Sequence, residues 1–337
     1  MTDKEITEVK SLLKEPKSIV IVPHINPDGD AIGSTLGLWH FLNLKDHNTT
    51  VIAPNDCPDF LKWIPGQNQI LIHQNEPEVA NKLIEEADLI FTLDFNSLKR
   101  IGDMGDIINQ ASGIKILIDH HQQPEDYAQY KYSDVQMSST CEMVYNFIDF
   151  LGDTKSINSD IATCLYTGIM TDTGSFRYRS TTYKTHHIIS KLIEKGADNT
   201  KIHNQVYDSS SADRLKLLGV AINNLVYLKE FNTAYITLSQ SELDQNQFKK
   251  GDTEGFVNYG LSIKGVKLAV IFIEKKAEEI VKISFRSKGD FSVNAFARQY
   301  FNGGGHTNAA GGKSDLSLNK TVDKFISILP SYSSQLN

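Results

Sequence analysis

Between Lys17 and Pro23 the chain reads Ser-Ile-Val-Ile-Val, a short continuous apolar run. A run of this kind, without alternation, fits a strand covered on both faces, the setting found in parallel sheets. The pattern recurs. Further strands are predicted at Thr50–Ala53, Asp88–Asp94 and Ile114–Asp119, with helical stretches at about 30–44 and 77–87 between them. Alternation of strand and helix predicts an α/β domain, a parallel sheet with helices on both faces. Ser139-Thr-Cys-Glu142 has the form of a capping box and opens a helix to about Leu151. Another helix is predicted from about Ser159 to Thr171.

From Tyr183 to about Leu228 the pattern is helical, with one break at Gly196. Strand-like runs follow at Thr233–Leu238, Val266–Ile273 and Ile280–Phe285. Next come a helix near Val293–Tyr300, a Gly-rich loop, and a last helix near Lys320–Leu329. The expectation is a first domain over 1–190, a helical connection over 191–228, and a smaller α/β domain over 229–337. A length of 337 residues suffices for two cores. There is no internal repeat.

No apolar run approaches the ~20 residues of a membrane helix. Residues 1–17 mix Lys, Glu and Asp with Leu12 and Leu13, which is not a signal-peptide core. Cys57, Cys141 and Cys164 are scattered and odd in number, as in a reducing compartment, so a cytoplasmic protein is expected. The net charge is −7, unevenly spread. Residues 1–212 carry 18 Lys/Arg against 29 Asp/Glu, and residues 213–337 carry 16 against 12. A grip on long nucleic acid needs a broad basic surface. This distribution fits a small anionic substrate better.

Asp and His residues gather just after the first-half strands. The first strand leads into His24-Ile-Asn-Pro-Asp28-Gly-Asp30, another ends on Asp94, and a third ends in Asp119-His120-His121. The helix from Ser159 runs into Asp172. Loops at the carboxyl edge of an open parallel sheet line one crevice. Several carboxylates converging there repel one another unless cations neutralise them, which points to metal.

At these residues the chain resembles the DHH phosphoesterases, whose four motifs match His24-x-x-x-Asp28-Gly-Asp30, Asp94, Asp119-His120-His121 and Asp172. Downstream, Ser284-Phe-Arg286 and Asn302-Gly303-Gly304-Gly305-His306 resemble the family's associated substrate domain. The resemblance implies an active site in the cleft between a parallel-sheet domain and a smaller mixed-sheet domain. It implies two Mn²⁺ ions, replaceable by Mg²⁺ or Co²⁺, that activate a bridging water. His24, Asp28 and Asp94 would hold one ion; Asp30, Asp94, His120 and Asp172 would hold the other. Asp119 would orient His120 through its other ring nitrogen, and His121 would face the phosphate or protonate the leaving oxygen. Arg286, Gly303, Gly304, Gly305 and His306 would bind substrate phosphate, the glycines by letting the backbone approach an anion.

Length and spacing most resemble the nanoRNase branch, which degrades very short RNA and dephosphorylates adenosine 3′,5′-bisphosphate (pAp). The alternatives are an inorganic pyrophosphatase or exopolyphosphatase, a hydrolase of linear di-adenylate, and a non-catalytic nucleotide-binding protein. Expected partners are short RNA or DNA oligonucleotides or a nucleoside bisphosphate, and no membrane; a homodimer stays open. Arg177 and Arg179 read equally well as substrate contacts or solvated charge. His186 and His187 read as surface or packing residues, and His40, His73 and His203 are assigned nothing.

Overall fold

The apolar run is strand β1 (Ser18–Val22), buried from Ile19 to Val22, inside a six-stranded sheet of the computed structural model, which describes residues 1–337. Its companions are β2 (Asn48–Ala53), β3 (Leu71–Ile72), β4 (Leu89–Leu93), β5 (Ile114–Asp119) and β6 (Tyr130–Ser133). The order across the sheet is β3-β2-β1-β4-β5-β6, and every pairing is parallel. The chain steps outward from β1 to β3 on one side and from β4 to β6 on the other. The order therefore reverses between β1 and β4, and in an open sheet the ligand crevice lies outside the carboxyl ends at that point.

Side chains along β1 alternate between two cores. Ile19 and Ile21 join one apolar cluster and Val20 and Val22 another, which explains the unbroken apolar run. Eight helices belong to this unit: α1 (Asp3–Leu12), α2 (Gly29–Asn43), α3 (Pro77–Glu85), α4 (Met104–Gln110), α5 (Thr140–Phe150), α6 (Ser159–Asp172), α7 (Tyr183–Glu194) and α8 (Asn199–Tyr207). α3 and α4 cover the Val20 face, while α2, α5 and α6 cover the Ile19 face. α2 is buried almost all round, which requires close neighbours. A Cβ at Gly168 on α6 would lie 2.1 Å from the Cys141 sulfur and 2.9 Å from Asp30 Oδ1. The absent side chain is what lets α2, α5 and α6 meet.

The capping box at α5 closes only in part. Glu142 N–H donates to Ser139 Oγ at 3.0 Å. The Glu142 carboxylate instead accepts from the Ser138 hydroxyl and from Thr185 Oγ1.

The chain divides into two units, Met1–Ser209 and Ser210–Asn337. The second contains α9 (Ala212–Asn223), β7 (Val226–Leu228), β8 (Thr233–Leu238), α10 (Gln240–Gln245), α11 (Val257–Ser262), β9 (Leu268–Lys275) and β10 (Ile280–Ser287). It ends with α12 (Val293–Tyr300), β11 (Gly304–Gly305), β12 (Ala309–Ser314), α13 (Leu318–Ile328) and α14 (Ser333–Leu336). Its sheet, ordered β11-β12-β10-β9-β8-β7, is mixed. β8 and β9 run parallel, and the other pairs are antiparallel. The stretch expected to be helical from 183 to 228 is three helices, and its last residues are the edge strand β7. The Gly-rich segment expected to be a loop forms edge strand β11. No helix is long and apolar enough to cross a membrane.

Candidate metal centre

The loop after β1 delivers two side chains. Asp28 caps α2: its Oδ1 accepts from the backbone N–H of Asp30 and Ala31 at 3.0 and 3.1 Å, a favourable place for an anion. Its Oδ2 stands 3.9 Å from His24 Nε2. The loop is pinned at Asn26, in left-handed backbone (φ 56°). Asn26 N–H donates to Asn55 Oδ1 at 2.7 Å, and the Asn55 amide donates back to Asn26 Oδ1 at 3.2 Å.

Asp94, at the end of β4, also has left-handed backbone (φ 65°), which Asp tolerates better than most residues. Its carboxylate is divided. Oδ2 lies 3.4 Å from His24 Nε2, and Oδ1 lies 3.4 Å from His120 Nε2. His120 Nε2 is in turn 3.7 Å from Asp30 Oδ2 and 3.5 Å from Asp172 Oδ2. Two donor groups result, His24/Asp28/Asp94 and Asp30/Asp94/His120/Asp172, with one Asp94 oxygen facing each.

Asp30 is fixed by the first turn of α5. Thr140 N–H donates to Oδ2 at 2.6 Å and Cys141 N–H to Oδ1 at 2.9 Å. Thr140 Oγ1 also donates to Asp94 Oδ1 at 2.9 Å. From the sequence, Ser138-Ser139-Thr140 reads as helix capping close behind the metal motif; the hold of Thr140 on two carboxylates is not legible there. The available signal was a helix start falling just after the Asp-His-His segment.

The structure corrects one role. Asp119 is bound to His121, not His120: Asp119 Oδ1 lies 2.7 Å from His121 Nδ1. Residues two apart at a strand end share a side, whereas adjacent ones oppose. His120 Nδ1 instead faces the Met137 carbonyl at 3.3 Å.

Electrostatics follow from burial. His24, Asp30, Asp94 and His120 are at most 6% exposed. Burial, together with Asp94 and Asp172, pushes the Asp30 carboxyl well above the usual carboxylate range. Burial also pushes Asp94 up, but the imidazoles of His120 and His24 outweigh it and hold Asp94 well below that range. Burial alone would depress His120, yet Asp94, Asp172 and Asp30 raise it well above the ordinary imidazole value. His24 is raised through Asp94 and Asp28 against the same desolvation. Burial dominates at His121 and lowers it despite Asp119.

Most of the separations between donor atoms exceed a hydrogen bond. They suit ligands around a shared ion, where bond lengths of ~2.1 Å place neighbouring ligand atoms roughly 3.0–3.4 Å apart, or further at wider angles. The imidazole and carboxylate donors also suit a transition ion. The residues present therefore fit a pair of divalent cations.

In the second unit, Arg286 on β10 pairs with Ala309, and Gly304 and Gly305 on β11 pair with Gly311 and Ala310. Arg286 and the glycine strand thus flank β12. Sheet packing accounts for two of the three glycines. A Cβ at Gly303 would meet the Gly311 carbonyl oxygen at 2.0 Å, and one at Gly305 the Ala309 carbonyl oxygen at 2.5 Å. Backbone N–H groups nearby are already engaged, Gly303 with the Ala297 carbonyl (3.2 Å) and His306 with the Ala309 carbonyl (2.7 Å). Gly304 instead faces Arg298 of α12, whose Nε donates to Asn294 Oδ1, another cation that sequence reasoning did not select. Arg177 donates through Nε to the Gly174 carbonyl at 2.7 Å. His186 and His187 are exposed on α7.

A parallel-sheet unit with two His/Asp donor groups at its switch point, followed by a mixed-sheet unit, defines a family of phosphate-ester hydrolases. Residues 18–169 match the DHH family, N-terminal domain, and residues 231–332 match the DHHA1 domain. The chain belongs to the DHH family, and it is a hydrolase of phosphate esters. Among its relatives is the bifunctional oligoribonuclease and PAP phosphatase NrnA of Bacillus subtilis, 29% identical over 90% of this chain and 92% of that protein. The probable enzyme of the same name from Streptococcus mutans is 30% identical over 92% and 94%. A solved exopolyphosphatase-related protein from Bacteroides fragilis superposes with a TM-score of 0.95 at 44% identity, covering 99% of this chain and 98% of that one.

Proposed function

We propose that the chain is a manganese-dependent phosphoesterase of the cytoplasm that hydrolyses short oligonucleotides and pAp. One observation carries the reading: the division of Asp94 between two donor groups, in a chain whose oligoribonuclease and PAP phosphatase relatives align along nearly its whole length. His24, Asp28 and Asp94 would hold one ion; Asp30, Asp94, His120 and Asp172 would hold the other. Bound there, the ions supply Lewis-acid stabilisation of the phosphoryl oxygens and a water acidified to a usable nucleophile.

The chain's own groups do the rest. Thr140 and the α5 N-terminus keep Asp94 and Asp30 in place. Asp119 orients His121, whose other ring nitrogen would hold the proton passed to the leaving oxygen. Arg286 would grip a phosphate of the nucleotide by its planar fork, and His306 would add a donor. The two imidazoles among the ligands favour Mn²⁺ over Mg²⁺.

A substrate panel at constant Mn²⁺ tests the reading, spanning pAp, RNA and DNA dinucleotides, linear di-adenylate, pyrophosphate, polyphosphate and longer oligomers. Dinucleotides and pAp should turn over fastest. Faster pyrophosphate or polyphosphate cleavage would reassign the substrate, and no turnover of any member would leave a nucleotide-binding protein.

A further inference from the structure

Segment 94–102 leaves β4 at Asp94 and is tied to the loops on either side. Towards the β1 loop, Ile25 N–H donates to the Arg100 carbonyl at 2.8 Å. Towards the β5 loop, the Asn96 amide donates to the Gln122 carbonyl at 2.6 Å, and Glu125 N–H donates to the Asn96 carbonyl at 2.8 Å. Leu98 N–H is held by the Glu125 carboxylate at 3.2 Å. Residues Leu98–Ile101 form one tight 3₁₀ turn, and Ile101 is buried in the α3–α4 core. Arg100 therefore stands on a braced support joined directly to the residues that follow His24 and His121.

The Arg100 side chain is half-buried. Carboxylates surround the centre, yet none of them forms an ion pair with Arg100. Its backbone stands beside the centre, the Arg100 carbonyl accepting from the N–H of the residue next to His24. A guanidinium is a rigid fork of five donors with no acceptor, matched to phosphate oxygens. Withholding it from the local carboxylates leaves the fork for an anion that arrives from outside.

We propose that Arg100 is a phosphate-binding residue of the reaction, donating to a non-bridging oxygen of the phosphoryl group cleaved beside His24, Asp94 and His121. This rests on the reading of the two donor groups as the reacting centre. Positive charge at that oxygen offsets the negative charge that the equatorial oxygens carry in the transition state.

The test uses full-length, Mn²⁺-loaded protein with pAp and with bis-p-nitrophenyl phosphate, comparing wild type, Arg100→Gln and Arg100→Lys, with Arg100→Ala kept for chemical rescue. All should bind two ions per chain by elemental analysis. Arg100→Gln should lower kcat/KM on both esters about 100-fold, and the inhibition constant for inorganic phosphate should rise in parallel. Arg100→Lys, which keeps the charge without the fork, should recover part of both losses. Added guanidinium should raise the rate of Arg100→Ala and leave wild type unchanged. Full kcat/KM and unaltered phosphate inhibition in Arg100→Gln would overturn this proposal alone. Loss of an ion or of the fold in both Arg100→Gln and Arg100→Lys would also overturn it, by showing that the side chain builds the centre. Wild-type protein inert towards both esters would overturn the reading of the centre, and this proposal with it.

Discussion

Thr140 has two tasks that its place in a helix cap conceals. Its N–H fixes Asp30 and its hydroxyl fixes Asp94, so one residue orients a carboxylate at the start of α2 and another just after β4. Removing only the hydroxyl, in Thr140→Val, should weaken metal binding about 10- to 100-fold, as for other groups that orient ligands, while the fold is kept. Calorimetric titration with Mn²⁺ would check this, and an unchanged affinity would show the hydroxyl to be idle. Protonation makes a second residue-level prediction. In the metal-free protein the pKa values of Asp30, His24 and His120 are raised. For each, the stabilising effect of the bound proton is lost as pH climbs through the folded value, for the two histidines above about 6.5. Metal must displace these protons, so affinity should increase with pH and binding should release about one proton or more at pH 7. Titrations in buffers of different ionisation heat measure that number; zero release would mean the cluster is already deprotonated. The sequence revealed which residue types converge here because strand ends point to one edge. It did not reveal that Asp119 pairs with His121: strand alternation allows that pairing, but the strand ends at Asp119 and the sequence does not mark that the alternation carries on through the two histidines.

At the level of elements, the α2–α6 contact sets the spacing between Asp30 at the start of one helix and Asp172 at the end of the other. Gly168→Ala would drive a methyl into the Cys141 sulfur and Asp30 Oδ1. We expect a loss of about 1–3 kcal/mol from overpacking and partial loss of the ion proposed for Asp30, His120 and Asp172. Thermal unfolding and ion counting would measure both; a variant as stable as wild type with two ions would show that the helices part freely. The central strands β1, β4 and β5 were legible because burial on both faces keeps them largely apolar, with Thr92 and Lys115 the internal exceptions. The short edge strands were not. β6 reads Tyr-Lys-Tyr-Ser, β7 closes a stretch that otherwise has helical spacing, and β11 is two glycines. Strands like these are recruited by hydrogen bonding to a neighbour, and neither propensity nor periodicity announces them. The glycine run misled in a second way: close approach of its own sheet explains Gly303 and Gly305, and only Gly304 is left to the phosphate argument.

Across the whole molecule, the uneven charge coincides with the two units. The unit that carries both donor groups has 18 Lys/Arg against 29 Asp/Glu, and the other has 16 against 12. A long polyanion approaching the first unit meets a field of its own sign. Activity should therefore be highest on substrates of about two to five nucleotides, and kcat/KM for a labelled 24-mer should fall at least about 10-fold below that of a trimer. Because the repulsion is screened, the gap should narrow as salt rises from about 0.05 to 0.3 M. A time course with both oligomers at each salt concentration decides this. Faster degradation of the 24-mer would reveal a binding track for long strands.

The proposed ligands run from His24 to Asp172, and the last of them ends α6, the helix against which α2 must pack before Asp30 is in place. Synthesis on the ribosome supplies these residues in order, so a nascent chain shorter than 172 residues lacks both a ligand and the neighbour that seats another. Such a chain can hold His24, Asp28 and Asp94 without a second ion opposite them. On this ligand set, the second donor group is completed only once residue 172 has been made, so the first can form well before the second.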